Sequence, residues 1–112
     1  MVGDGPNPLL GGPTWTDRRA WDATIEGRGW RVGVEAETRL GDVQALERRI
    51  ALKERDGAVS VVLLLVNDTA HNRRIMADDS AGLRSQFPGS ARITLARLRL
   101  GEAPTSSALL VL

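Results

Sequence analysis

The fold is decided by the stretch Trp30-Arg31-Val32-Gly33-Val34-Glu35-Ala36-Glu37-Thr38, in which apolar residues alternate with polar residues and glycine. A period of two indicates a β-strand with one buried face, and it places Glu35 and Glu37 together on the other face. Just upstream, Gly27-Arg28-Gly29 can supply the positive-φ positions of a tight turn. We therefore predict that residues 21–25 form a strand antiparallel to this one.

The register of the hairpin determines which acidic side chains come together. If Ile25 faces Trp30, then Asp22 faces Gly33 and lies diagonally across from Glu35. Diagonal neighbours have Cβ atoms about 7–8 Å apart, a gap that two carboxylates can close around a cation. The alternate residues expected on the core face of the first strand are Trp21, Ala23 and Ile25.

Length and composition favour a single soluble domain. The chain has 112 residues, of which 42% are hydrophobic and 26% charged, and its longest apolar run, residues 59–66, is far too short to cross a bilayer. Residues 1–14 contain four glycines and three prolines, so we predict an arm or linker there, followed by one domain over residues 15–112. A signal-peptide pattern and cysteine are both missing, and we expect a cytoplasmic protein with no membrane association.

The charge balance excludes a protein that is basic throughout. The formal net charge is +1, and fourteen of the fifteen basic residues are arginine, with Lys53 the only lysine. Arginine can bind carboxylate or phosphate through two parallel hydrogen bonds, so contacts to nucleic acid remain available at many positions. The sequence does not locate a basic patch.

The remaining elements predict an α/β fold. Apolar residues at helical spacing indicate an amphipathic helix over residues 42–55, with Asp42 as its N-cap, and the apolar run 59–66 suits a central strand parallel to the first. A helix connecting two parallel strands gives a mixed central sheet flanked by helices, as in a restriction-endonuclease-like core. The later elements are short helices over residues 70–77 and 80–87, a helix over residues 91–100 for which a strand is the alternative, and a last strand over residues 108–112 inside the sheet.

Polar residues follow both parallel strands, where ligands gather in such sheets. Glu35 and Glu37 lie near the end of one strand, and Asp68 and Arg73 follow the other. Carboxylate oxygens in an open groove are the ligands that Mg²⁺ prefers, and Mn²⁺ accepts the same set. The sequence therefore predicts a site for Mg²⁺ or Mn²⁺ that would act on phosphate groups.

Asp22 on one strand, Glu35-Ala36-Glu37 on the next and Gln44 on the following helix resemble the PD-(D/E)xK nuclease superfamily. The resemblance implies that Asp22 and Glu35 are metal ligands, that Glu37 stands in the place of the catalytic lysine and positions water, and that Gln44 assists. Arg48 and Arg73 would contact the phosphates of nucleic acid. In this sequence Trp21 replaces the proline that precedes the aspartate in that family.

A broader resemblance covers the chain from about residue 17 to its end. Arg-Ala-Trp-Asp at 19–22, Val-Glu-Ala-Glu-Thr at 34–38, Arg-Arg-Ile-Ala-Leu-Lys at 48–53 and His-Asn-Arg at 71–73 are similar to the C-terminal region of actinobacterial helix-turn-helix (XRE-like) regulators. Those proteins carry their DNA-reading helices upstream, in a segment that the resemblance does not cover. Operator binding is therefore not transferred to this chain.

Each candidate residue also has a structural interpretation. Glu37 can pair with Arg18 across the hairpin, Asp22 and Glu35 can be solvated or pair with arginines, Gln44 can be a plain surface residue, and His71 can serve a loop.

The first functional hypothesis, based on the acidic residues, is a metal-dependent phosphodiesterase acting on nucleic acid. The alternative is a non-catalytic nuclease-fold module of a regulator that binds a ligand, a partner or a second copy, and a toxin- or antitoxin-like partner-binding domain also remains open.

Overall fold

A computed structural model of the chain describes residues 21–56 and 59–112. The sequence predictions that fall on residues 1–20, including the arm over residues 1–14 and the pairing of Arg18, lie outside the described residues. The described elements are β1 (Ala23–Gly27), β2 (Trp30–Glu37), α1 (Val43–Asp56), β3 (Val61–Val66), α2 (Ala70–Asp78), α3 (Ser80–Gln86), α4 (Ala91–Arg99) and β4 (Ala108–Val111). Among these helices, none has the length and apolar character needed to cross a membrane.

The four strands form one mixed sheet in the order β1-β2-β3-β4. Strand β1 is antiparallel to β2, whereas β2, β3 and β4 are mutually parallel. The predicted α/β fold with a mixed sheet flanked by helices is confirmed, as is the helical connection between two parallel strands. In the sheet formed by the described residues, β4 lies at the edge opposite β1, so the prediction that the last strand lies inside the sheet was wrong.

The hairpin forms as predicted, but its register differs by two residues. Gly27 pairs with Trp30 and Ile25 pairs with Val32, which leaves a turn of two residues with Gly29 at φ +80°. The cause is the Trp30 indole, which lies so close to Gly27 that a Cβ there would be 2.1 Å from the ring. Gly27 is therefore needed as a strand residue opposite Trp30 and not as a turn residue.

Strand β2 is buried on both faces, so the expectation of one exposed face was wrong. One face packs with Val62, Leu64 and Val66 of β3 beneath α1, and the other packs with Val61 and Leu63 beneath α4. Glu35 lies on the α1 side and is only 2% exposed. The predicted open groove above Glu35 is instead the interface between β2 and α1.

The first strand also differs from its predicted face assignment. Trp21 belongs to the core cluster on the α1 side, Ile25 packs on the α4 side, and Ala23 is exposed. The indole of Trp21 covers Gly33, where a Cβ would lie 2.6 Å from the ring. This contact, and not strand alternation, decides where Trp21 is buried.

The helices begin where the sequence predicts. The carboxylate of Asp42 accepts the backbone N–H of Ala45 at 3.0 Å, and the hydroxyls of Thr69 and Ser90 cap α2 and α4 in the same way. Such bonds satisfy backbone donors that have no partner within the helix. Residues 91–99 form a helix and not the alternative strand, and Gly101 follows it with φ +74°.

Candidate functional site

Glu35 and Lys53 form the central charged contact of the predicted site. Glu35 lies on β2 beneath α1, and the Nζ atom of Lys53 on α1 lies 3.0 Å and 2.9 Å from its two carboxylate oxygens. The side chains are 3% and 24% exposed, respectively. Because both oxygens bind the ammonium in a largely dry interface, this pair fixes α1 against the sheet.

Trp21 completes the surroundings of this ion pair. Its ring centroid lies 5.7 Å from Lys53 Nζ, within the range of a cation–π interaction. Gly33 allows the approach because it has no side chain under the ring. The glycine two residues before Glu35 therefore makes room for the tryptophan that covers the ion pair.

Asp22 has a different partner from the one predicted. Its Oδ2 atom accepts a hydrogen bond from the backbone N–H of Ala36 at 2.8 Å. Asp22 lies one residue beyond the last ladder pair, Ala23 with Val34, and continuing that register would put it directly opposite Glu35, not diagonally across from it as expected. The carboxylate thus serves the backbone at the end of the hairpin ladder.

Glu37 is engaged by α1 as well. Its Oε2 atom lies 3.3 Å from Arg49 Nη2, and the two side chains are 27% and 50% exposed. An ion pair this exposed contributes about 0.2–1 kcal/mol. Glu37 thus forms a salt bridge with an arginine of α1, and its predicted pairing with Arg18 lies outside the described residues.

The other three predicted site residues lie apart from Glu35. Gln44 and Arg48 are exposed on α1 and line a surface groove towards α3. Arg73 is exposed on α2 and forms an ion pair with Asp68. The structure therefore divides the predicted set into the covered Glu35, the backbone-bonded Asp22, and exposed residues on two helices.

The donor set does not fit a divalent cation in this arrangement. Mg²⁺ keeps several waters and takes carboxylate oxygens in octahedral geometry, whereas both oxygens of Glu35 are covered and bound to an ammonium. Within residues 21–56 and 59–112, no group of three or more acidic, histidine or cysteine side chains is placed to hold a metal ion. A cation at Glu35 would have to displace Lys53.

Sequence reasoning missed Asn72, which is fully buried at the start of α2. Its Oδ1 accepts the N–H of Leu40 at 2.8 Å, and its Nδ2 donates to the carbonyls of Thr38 and Asn67 at 2.9 Å and 3.0 Å. His71 Nε2 donates to the Leu40 carbonyl at 2.8 Å. The His-Asn part of the 71–73 motif therefore holds the loop after β2 against α2, so His71 serves a loop as expected.

Lys53 was also missed as a partner of Glu35, although the sequence contains a signal for it. Lys53 is the only lysine and continues the apolar stripe of α1 at helical spacing. A charged residue on a buried stripe needs a partner of opposite charge, and Glu35 supplies it.

No family model, curated protein or solved structure matches the chain. Function is therefore inferred from the contacts of the described residues.

Proposed function

We propose that this chain is a non-catalytic module with a nuclease-like core, which serves a DNA-associated regulator as a unit of self-association. One observation carries the proposal: Glu35, the acidic residue that would have to hold a metal, is buried and binds Lys53 through both oxygens. An ion pair in that position holds a helix on a sheet and leaves no open coordination position. The order of hairpin, helix and parallel strand supports the nuclease-like core.

Exposed apolar side chains support the self-association part of the proposal. Leu100, just after α4, is 73% exposed, and Leu112, just after β4, is 67% exposed. Strand β4 lies at the edge of the described sheet, and edge strands can pair with a second chain. In this proposal a second copy of the chain covers the exposed leucines and pairs with β4.

The test of self-association is light scattering on the full chain. We expect a dimer, and we expect Leu100→Glu or Leu112→Glu to shift the mass towards a monomer. The matched control is Leu52→Glu, because Leu52 is 50% exposed on α1, away from α4 and β4. A wild-type protein that stays monomeric at high concentration contradicts this part of the proposal.

A second candidate function is metal-dependent hydrolysis of nucleic acid, and one observation favours it. The family that the motif resembles uses a lysine beside its acidic residues, and here Lys53 on α1 contacts Glu35 although Glu37 stands at the usual lysine position. In that case Asp22 and Glu35 would hold Mg²⁺ or Mn²⁺ after Lys53 moves. Lys53 would then be the basic residue of the site.

The two functions are separated by nuclease and metal-binding assays on folded variants. The non-catalytic function predicts no cleavage of DNA or RNA with Mg²⁺ or Mn²⁺, and no calorimetric signal for either metal. Hydrolysis predicts cleavage that Glu35→Ala abolishes and that Glu26→Ala on β1 leaves intact. Circular dichroism must show that both variants remain folded. Cleavage that is lost in Glu35→Ala and kept in Glu26→Ala would replace the first proposal with the second.

A further inference from the structure

A second pair of carboxyl groups lies in the surface groove between α1 and α3, which has a volume of about 470 Å³. Glu47 comes from α1, and Asp79 stands at the corner between α2 and α3. Glu47 Oε2 and Asp79 Oδ2 are both shielded from solvent, and neither has a hydrogen-bond partner among the described residues. Two ionised carboxylates cannot bond each other, because each is only an acceptor.

Gly82 on α3 shows how closely these groups are packed. A Cβ at this position would lie 2.9 Å from both oxygens of Asp79 and 3.1 Å from Glu47 Oε2. The two carboxyl groups thus meet against the same glycine. A single proton placed between them would supply the missing donor and satisfy both shielded oxygens.

The surroundings supply little compensating positive charge. Of the described residues that line the groove, the charged ones are Glu47, Asp79 and Arg48, and Arg48 is exposed. On the α3 side the groove offers Gly82 and the neutral Gln86, whose Nε2 donates to the backbone carbonyl of Glu47 at 3.0 Å. Desolvation is the main cause that raises the pKa of Glu47 to about 7; the hydrogen bond that the protonated group makes to Asp79 and the negative charge of Asp79 act in the same direction, and Arg48 acts in the opposite direction.

We propose that Glu47 and Asp79 share one proton and form a pH-sensitive latch that closes α3 onto α1. Loss of the proton leaves two negative charges against Gly82, and their repulsion loosens α3. Leu83 of α3 and Phe87 after it are 6% and 4% exposed in the core cluster beneath α1. Opening the latch therefore uncovers apolar surface beside Gln44 and Arg48.

The direction of the pH effect follows from the raised pKa. The proton stabilises the closed latch fully below the ordinary carboxyl pKa of 4.5, and this contribution is lost as the pH rises through about 7. Closure is thus favoured in mildly acidic solution and weakened in mildly alkaline solution.

The test measures hydrogen exchange of the Leu83 amide, which donates to the Asp79 carbonyl at 3.0 Å. We expect its protection, corrected for the intrinsic exchange rate, to fall about tenfold between about pH 5.5 and pH 8.5 in the wild type. Glu47→Gln keeps a donor for Asp79 without titrating, so its protection should stay constant. Asp56→Asn, on the same helix with a side chain 75% exposed, should behave as the wild type.

Carbon-13 NMR of the Glu47 carboxyl group provides the second measurement, and Asp79→Asn provides a second variant should Glu47→Gln fail to fold. The latch predicts a Glu47 midpoint near 7 that moves towards the ordinary carboxyl range in Asp79→Asn. A Glu47 midpoint in the ordinary range in the wild type would overturn the proposal. An equal loss of protection in Glu47→Gln would also overturn it.

Discussion

At the scale of single residues, the Glu35–Lys53 contact shows how a buried charge determines stability. Replacing Lys53 with methionine leaves the Glu35 carboxylate without a counter-charge in an interface where it is 2% exposed. Removing one partner of a buried ion pair lowers the free energy of unfolding by about 3–5 kcal/mol. Because Lys53 is partly exposed, we expect a loss near the lower limit, about 3 kcal/mol. Urea denaturation of Lys53→Met against the wild type measures it.

The double variant Glu35→Met/Lys53→Met is the control for this prediction. It removes both charges and leaves an apolar contact between β2 and α1, so we expect it to be more stable than Lys53→Met alone. If the single variant is as stable as the wild type, the ion pair does not hold α1 on the sheet. The Glu35–Lys53 contact would then no longer support a non-catalytic module.

Gly33 provides a second prediction at the residue scale. In Gly33→Ala the new methyl group would lie 2.6–3.0 Å from the Trp21 ring, so the ring must move away from the ion pair that it covers. Overpacking of this kind costs roughly 1–3 kcal/mol. The matched control is Gly41→Ala, where no atom lies within 4 Å of the new Cβ, and denaturation curves should show the loss only at Gly33.

The residue types of the candidate site were predictable from the sequence, but their partners were not. Alternation along β2 placed Glu35 and Glu37 on one face correctly, yet it could not show that α1 covers that face. Helical spacing likewise put Lys53 on the apolar stripe of α1 without showing which acid lies opposite. Both contacts join residues 18 or fewer positions apart through the packing of a helix on a sheet, and local pattern does not determine that packing.

At the scale of elements, the loop after β2 is held by a side chain from α2. Asn72→Ala would leave the N–H of Leu40 and the carbonyls of Thr38 and Asn67 without their buried partner. Each unpaired buried polar group lowers the free energy of unfolding by about 1–3 kcal/mol. Because the loop can relax partly, we expect a total loss near 3 kcal/mol. Urea denaturation measures the loss.

The control for this prediction is Asn67→Ala, which removes an exposed side chain but keeps the carbonyl that Asn72 binds. We expect Asn67→Ala to change the free energy of unfolding by less than about 0.5 kcal/mol. Equal stability of the two variants would show that Asn72 does not hold the loop.

The hairpin explains why an element can be predicted while its register is not. The glycines between residues 25 and 30 and the alternation on both sides were sufficient to predict two antiparallel strands. Register depended on whether Gly27 belongs to the turn or to the strand, and the Trp30 ring decides this by lying against Gly27. A contact between a ring and a backbone across the hairpin leaves no periodic signal in the sequence.

At the scale of the whole molecule, β4 closes the core on the α4 side. Ala108 and Leu110 are 0% and 4% exposed in that cluster, and the hydroxyl of Ser107 accepts the N–H of Val62 at 2.9 Å. The apolar pattern of residues 108–112 indicated a strand inside the sheet, whereas β4 lies at the edge of the described sheet. The strand order was therefore not predicted. An edge strand that is buried on its inner face still carries part of the core.

Removing residues 107–112 should therefore abolish cooperative folding. The truncation exposes Val61 and Leu63 and leaves the Val62 N–H without its partner, so we expect loss of the near-ultraviolet circular dichroism of the tryptophans and strong binding of a hydrophobic dye. The matched control is Thr105→Ala, which keeps the strand and changes an exposed side chain in the loop before β4. If the truncated chain unfolds cooperatively with the wild-type midpoint, the core on the α4 side is complete without β4. That result would contradict the prediction, which follows from the burial of Ala108 and Leu110.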